Sequence, residues 1–295
     1  MESKLTFGLF LQKYGNDDAC LEKLLSLKYP NGVYCEKCQK VTRFTKVKSR
    51  PVYQCSCGYQ ISPLSGTIFE KTTTPLQYWF YVIFVMSNTR SGISAKQIQR
   101  EIGVTYKTAW RMCHQVRILM AETGGGLLTG TVEVDETYVG GKGKNRRNVW
   151  SDGFEKPKEA LMGMVQREGK VYIKHISNTG KWTLLDQIKN NIDPKARILT
   201  DEYKSYYHLF KFGYNHESVN HHQGEYVRND IHTQNIENVW SHLKRGLTGV
   251  YRVVSKKYLQ AYADEYAFRY NHRKENTPMF DLLLNQVVQV KLLKV

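Results

Sequence analysis

The sequence predicts an α/β domain preceded by a small cysteine-rich β module and a block of short helices. Three observations carry this. Two cysteine pairs sit among short polar and β-branched stretches bounded by Gly and Pro, the texture of a small β module. Residues 75–121 then show apolar positions at helical spacing. Beyond the glycine-rich connector "ETGGGLLTG" at 122–130, strand-like and helix-like segments alternate. A chain of 295 residues has room for two or three such units. The expected division is a helical lead-in at 1–30, the cysteine module at 31–70, the helical block at 71–121 and the α/β domain at 131–295.

In the lead-in, Phe7, Phe10 and Leu11 follow i, i+3, i+4 spacing, and Leu21, Leu24 and Leu25 repeat it. In the next module Cys35 and Cys38 form a C-x-x-C and Cys55 and Cys57 a C-x-C. Two such knuckles can supply four thiolates in the tetrahedral arrangement that zinc prefers, and the bound ion holds together a module too small for its own core. One structural Zn²⁺ per chain is therefore expected. The second knuckle is one residue shorter than the usual spacing, and Cys20 and Cys113 have no partner motif and read as ordinary thiols.

The apolar run "YWFYVIFVM" at 78–86 is far short of the roughly 20 residues that span a bilayer, so it reads as a buried helix and no membrane partner is expected. The start "MESKLTFGLF" lacks the basic n-region and long apolar stretch of a signal peptide, which predicts a reducing cytoplasmic setting. "SGISAKQIQREIGVTYKTAWRMCHQVR" at 91–117 reads as a short helix with Ile98 and Ile102, a turn at Gly103, and a second helix from about Thr105. This is a helix-turn-helix pattern that exposes Tyr106, Lys107 and Arg111. Packed helices with a solvated basic face would give the same pattern.

The 43 Lys and Arg residues give a formal net charge of +16 and are spread along the chain, which points to a folded surface meeting a polyanion, with nucleic acid the leading partner. "GGKGKNRRN" at 140–148 offers Lys142, Lys144, Arg146 and Arg147 as a basic loop suited to phosphate contacts.

In the α/β domain, "GTVEVDETYVGG", "EALMGMVQREG" and "KVYIKHIS" read as three consecutive strands, followed by a helix at "KWTLLDQIKNNI", a strand at "ARILTD" and helices from about Asn235. Asp135 is expected at the end of the first strand and Asp201 at the end of the fourth. Carboxylates at neighbouring strand ends can converge on one point if divalent cations relieve their repulsion. Glu136 and Glu202 are alternatives next door. Glu237, near the start of a helix in "TQNIENVWSHLKRG", adds a third acid. Lys244 lies seven residues on, nearly two helical turns, so it shares the Glu237 face and can neutralise a phosphate, with Arg245 beside it. His221, His222 and His232 lack the i, i+4 spacing of a histidine zinc site. Leu259, Tyr262, Tyr266 and Tyr270, with Glu265 and Arg269 at i, i+4, read as structure.

Taken in order, the cysteine pairs, "SGTIFEKTTTPLQYWF", the two-helix pattern, "VEVDETYVGGK", "ILTDEYKSY", "NIENVWSHLKRGLTGVYRVVSKKYL" and "DEYAFRYNHR" resemble the IS1595 (ISXO2-like) family of insertion-sequence transposases over nearly the whole chain. The resemblance implies an RNase H-like catalytic core with a DDE-type triad, Asp135, Asp201 and Glu237, working with two Mg²⁺. It also implies double-stranded DNA as partner, both element ends and target, and nucleoid association on DNA. The third catalytic position in this family is sometimes Asn, which leaves Asn235 and Asn238 open. Joining two ends implies a homodimer or higher assembly on DNA. The competing reading is a zinc-ribbon and helix-turn-helix DNA-binding regulator with a catalytically silent core.

Overall fold

The computed structural model describes residues 5–121, 125–140 and 158–289 and divides the chain into two compact units. The first comprises residues 1–119 with 275–295, and the second residues 120–274.

In the first unit, helix α1 (Phe7–Tyr14) is capped by the Thr6 hydroxyl and α2 (Asp17–Lys28) by the Asn16 side chain, with Asp17 and Asp18 favourably placed in its first turn. Five short strands follow: β1 (Val33–Cys35), β2 (Lys40–Thr42), β3 (Phe44–Lys46), β4 (Tyr53–Cys55) and β5 (Gln60–Ile61). β1 and β2 form an antiparallel hairpin, and β3, β4 and β5 a three-stranded antiparallel sheet. Helix α3 (Leu76–Asn88) is apolar on most sides because it is the centre of this unit's core, with Trp79, Phe80, Val82 and Ile83 fully buried. Among the described residues no helix is long and apolar enough to cross a membrane.

Next, α4 (Ala95–Ile102) starts on a Ser94 cap and stops at Gly103, whose positive φ of 68° supplies the left-handed turn that closes the helix. Two residues later the Thr105 hydroxyl accepts from the Thr108 amide as α5 (Tyr106–Met120) begins. The expected pair of helices around Gly103 is thus present.

The last helix, α9 (Met279–Gln289), departs from the expected division, which grouped it with the α/β domain. It packs on α2 and α3. Phe280 is buried against Phe10, Tyr14, Phe80 and Phe84, with ring centroids 5.4–6.3 Å apart. Its apolar face completes a core that the N-terminal helices leave open.

The second unit is a five-stranded sheet made of β6 (Thr131–Val139), β7 (Glu159–Gln166), β8 (Val171–Ile176), β9 (Arg197–Thr200) and β10 (Asn215–Ser218), in the order β10-β9-β6-β7-β8. β6, β7 and β8 form an antiparallel meander, whereas β9 and β10 run parallel to β6. α6 (Lys181–Asn191) makes the crossover to β9 and covers one face through Leu184, Leu185 and Ile188. α7 (Gln234–Gly246) and α8 (Leu259–Asn271) cover the other through Ile236, Val239, Trp240, Leu243, Tyr262 and Tyr266. With both faces covered, β7 is buried along almost its whole length. The Glu265–Arg269 pair lies inside α8's packing surface at 2.6 Å, a structural ion pair.

Candidate active site

β6 does not end at Asp135. Glu136, Thr137, Tyr138 and Val139 continue to pair with β7, because β7, buried from Ala160 to Val165, offers Met162, Leu161, Ala160 and Glu159 opposite them. Asp135 is therefore a mid-strand residue, opposite Gly163. By the period-2 alternation of a strand, Glu133 and Asp135 share the face covered by α7, and Glu136 points to the other. Asp201 does follow directly on the end of β9. The parallel register Glu133↔Leu199, carried two residues further, brings Asp201 beside Asp135.

The electrostatics agree with that placement. Burial, with the Asp201 carboxylate and more weakly Glu237 beside it, pushes Asp135 up to about 6, although the Trp240 indole N–H at 2.9 Å favours its charged form. Asp201 is also raised, chiefly by burial.

Glu237 comes from the exposed side of the first turn of α7, where its Oε1 accepts from the Thr233 hydroxyl at 3.0 Å. Lys244 and Arg245 are exposed on the same helix, and Arg245 also donates to the Ser241 carbonyl of the preceding turn.

The alternatives next door already have protein partners. Glu136 is held by the Tyr206 hydroxyl on the α6 side, and burial pushes it up to about 8. Glu202 accepts from the backbone amides of His221 and His222. Asn235 turns its amide to Glu133, with Nδ2 donating at 2.7 Å. Asn238 is exposed on α7.

Three residues that position this site carry no obvious motif. Glu133, 0% exposed, accepts from the backbone amides of Asn235 and Ile236 at 2.9 and 3.2 Å, and from Arg167 Nε at 2.9 Å. The N-terminal amides of a helix need acceptors. Thr233 does not cap α7, so a carboxylate from β6 does, with its charge at the positive end of the helix dipole. His232 approaches the same carboxylate, its Nδ1 3.4 Å away. Trp240 is the second anchor, tying the middle of α7 to Asp135. Gly163 is the third: a Cβ there would lie 2.4 Å from Ile236 and 2.6 Å from Trp240. Only a glycine lets α7 lie this close to the sheet. The i, i+2 acids of "VEVDE" were the available signal for Glu133; nothing in the sequence marked the other two.

Gly163→Ala is accordingly expected to cost about 1–3 kcal/mol by overpacking. It should also shift the Trp240 environment, seen as a changed emission maximum alongside a lowered Tm. An unchanged Tm and spectrum would contradict the close approach of α7.

In the first unit, Cys35, Cys38, Cys55 and Cys57 bring their sulfurs within 4.8 Å of one another. The Cys35–Cys57 and Cys38–Cys55 separations are 3.5 and 3.9 Å. Four sulfurs about 2.3 Å from a tetrahedral zinc would stand about 3.8 Å apart, so the set fits that ion. Positive φ at Gln39 (54°) and Gly58 (89°) turns the two knuckles, and the shorter C-x-C still delivers both its thiols. The Thr42 hydroxyl and the Cys57 amide hold Cys55 down to about 6, while hydrogen bonds to Cys57 and Cys35 push Cys38 up to about 12, so protons are shared within the quartet and a bound metal would displace them. Cys20 and Cys113 are buried elsewhere, apart from this quartet. Among the described residues it is the one set of three or more His, Cys, Asp or Glu drawn this tightly together; the acids on β6, β9 and α7 stand further apart.

Of the residues expected to meet nucleic acid, Tyr106, Lys107 and Arg111 are exposed on the first two turns of α5, and the Arg111 guanidinium also lies 5.5 Å from the Trp79 ring. Lys142, Lys144, Arg146 and Arg147 lie outside the described residues.

A four-cysteine module with its sulfurs at the spacing of a zinc site, together with a five-stranded α/β unit, defines a protein of mixed α/β class. The comparisons narrow the class. Residues 127–271 match the ISXO2-like transposase domain, and residues 15–60 match the transposase zinc-ribbon domain. The chain belongs to the ISXO2-like transposase family, as its motifs led us to expect. It is 29% identical over 265 residues, 83% of its length and 88% of the relative's, to an uncharacterized protein in transposable element ISH50 of Halobacterium salinarum. It is 29% identical over 103 residues, 35% of its length and 82% of the relative's, to an uncharacterized transposase-like protein of Haemophilus influenzae. Among solved structures, a chain from the cryo-EM structure of the simian T-cell lymphotropic virus intasome in complex with PP2A regulatory subunit B56 gamma aligns over 64% of this chain and 65% of that one. The identity there is 12% and the TM-score 0.30, too distant to bear on the reading.

Proposed function

We propose that this chain cuts and joins insertion-sequence ends on an RNase H-like core, with Asp135, Asp201 and Glu237 as its metal-binding triad. The observation that carries the reading is the approach of Asp201 and Glu237 to Asp135, whose carboxyl is raised first by burial and then by those two acids. Acids brought toward one another repel, and a divalent cation between them would relieve that repulsion. The donors are hard oxygens, the class that Mg²⁺ prefers. The sheet order, an antiparallel meander extended by two parallel strands, supports the RNase H-like assignment.

In this reading Asp135 and Asp201 hold metal from the sheet and Glu237 closes the site from α7. Trp240 orients the Asp135 carboxylate, which would be a metal ligand, by donating to its Oδ2. Glu133 fixes the start of α7, and with it the separation of Glu237 from Asp135. When bound, two Mg²⁺ would activate water or a 3′-hydroxyl and stabilise the leaving oxygen, so one site could serve both cleavage and strand transfer. Lys244 neutralises a phosphate near the triad. α4 and α5 serve as the helix-turn-helix, with Tyr106, Lys107 and Arg111 toward duplex DNA, and Arg245 adds a phosphate contact. The four thiolates of the ribbon hold one Zn²⁺, which closes the two knuckles.

The test is incubation of the purified chain with duplex oligonucleotides carrying the element's ends. Mg²⁺-dependent nicking at those ends and a joined product, both lost on chelation, are expected. Salt-sensitive binding with neither product would instead favour the regulator with a silent core, since counterion release accompanies phosphate contacts in either case.

A further inference from the structure

A second surface of the α/β unit has a composition that the triad does not account for. Trp182, the second residue of α6, is 68% exposed, and Phe210, in the 3₁₀ turn Leu209–Phe212, is 64% exposed. Phe212 stands edge-on to Trp182, with ring centroids 6.2 Å apart. Lysines interleave these rings. Lys181 lies 4.7 Å from the Trp182 ring centre, Lys189 4.9 Å from that of Phe212, and Lys211 5.9 Å from that of Phe210. The ammonium of Lys181, reinforced by Lys211, holds His208 below its usual range, so the local field is positive. Asp186, one turn beyond Trp182, is the acid on this part of α6.

Large rings left in water are not explained by the fold, because the core on this face is closed by Leu184, Leu185, Ile188 and Leu209 beneath them. Lysines alone would suffice for phosphates. Aromatic faces add something only for a partner that presents flat apolar surfaces, and a duplex hides its base faces within its own stack. An unpaired strand presents both phosphates and open base faces, and rings alternating with lysines are the arrangement that binds it. A second copy of this chain, also strongly basic, would be repelled by the same lysines.

The segment between Asp201 and the patch is itself aromatic: the Tyr203 amide donates to Asp201 and its hydroxyl meets Thr179, two residues before α6, and Tyr207 further on is exposed.

We infer that Trp182, Phe210 and Phe212, with Lys181, Lys189 and Lys211, form a stacking platform for an unpaired DNA strand on the α6 side of the sheet. The inference rests on the nucleic-acid reading above, and its test needs no catalysis. Binding of the whole chain to a labelled single-stranded oligonucleotide and to a duplex of equal length is measured at one salt concentration with EDTA present. Trp182→Ala with Phe210→Ala is expected to weaken single-strand binding about ten-fold or more. Duplex binding and Tm should stay unchanged, since both side chains stand in solvent. Trp182→Phe should keep most of the single-strand affinity and Trp182→Leu should not. Equal losses for both DNA forms, or an unmoved single-strand affinity with lost self-association, would overturn the platform. Wild-type protein that binds duplex but not single strand would overturn it alone. Binding of neither form would remove the nucleic-acid reading as well, whereas single-strand binding without Mg²⁺-dependent cleavage would leave the platform standing and the triad in question.

Discussion

Glu237→Gln is expected to abolish Mg²⁺-dependent cleavage and joining, by on the order of a thousand-fold or more, while sparing duplex binding. The change keeps the side chain's length and its acceptor for the Thr233 hydroxyl, and removes only the charge. A neutral amide is a much poorer ligand for a hard dication than a carboxylate. Asp135→Asn and Asp201→Asn should inactivate to a similar degree. Asp135→Asn carries a second, opposite signature. Its folded-state pKa of about 6 lies above the ordinary 3.8, so the stability linked to its protonation is present below about pH 4 and lost as pH rises through about 6. Without metal at pH 8, the charged carboxylate therefore strains the fold, by at most about 3 kcal/mol. Asparagine removes that charge and can still accept from Trp240. The metal-free variant should thus melt a few degrees higher than wild type at pH 8, with the gain shrinking toward pH 4. Asn235→Ala should behave differently, because its amide braces buried Glu133: activity should fall only as far as the Tm does. If Glu237→Gln stays active and Asn235→Ala or Asn238→Ala inactivates with no loss of stability, the third ligand is the asparagine.

Cys38→Ser is the second large effect. The purified chain should carry about one zinc, and the variant should lose it. A serine hydroxyl is a poor zinc ligand, and the two knuckles are held by short hairpins whose strands run only two or three residues each. Metal binding is folding free energy for such a module. The loss should therefore appear as local unfolding, with rapid amide exchange across residues 33–61 and protection retained in β6, β7 and α7. Zinc analysis near zero for wild type purified without chelator would refute the thiolate site. Exchange spreading through the second unit would show that the ribbon is not an independent module.

The parts of this protein legible in the sequence are those set by local periodicity and local spacing. The three strands of the meander, α6, and the helix bearing Glu237 follow from alternation of two and 3.6 residues, which burial of one face imposes. The paired cysteines announced their own site because each pair is adjacent in the chain. The placement of Asp201 at a strand's end was equally local. What only the tertiary structure decided depends on contacts between segments far apart in sequence. Asp135 sits mid-strand because β7, arriving from residue 159 onward, pairs past it. Glu133 becomes the cap of α7 only once a helix about a hundred residues later docks on its face. Gly163 matters only because the Trp240 ring lies over it. α9 joins the N-terminal unit because the aromatic face of α1, α2 and α3 lacked a cover, and Phe280 supplies it. Periodicity says which face of an element is buried; it does not say against what, and that choice is made by the non-local packing that closes each core.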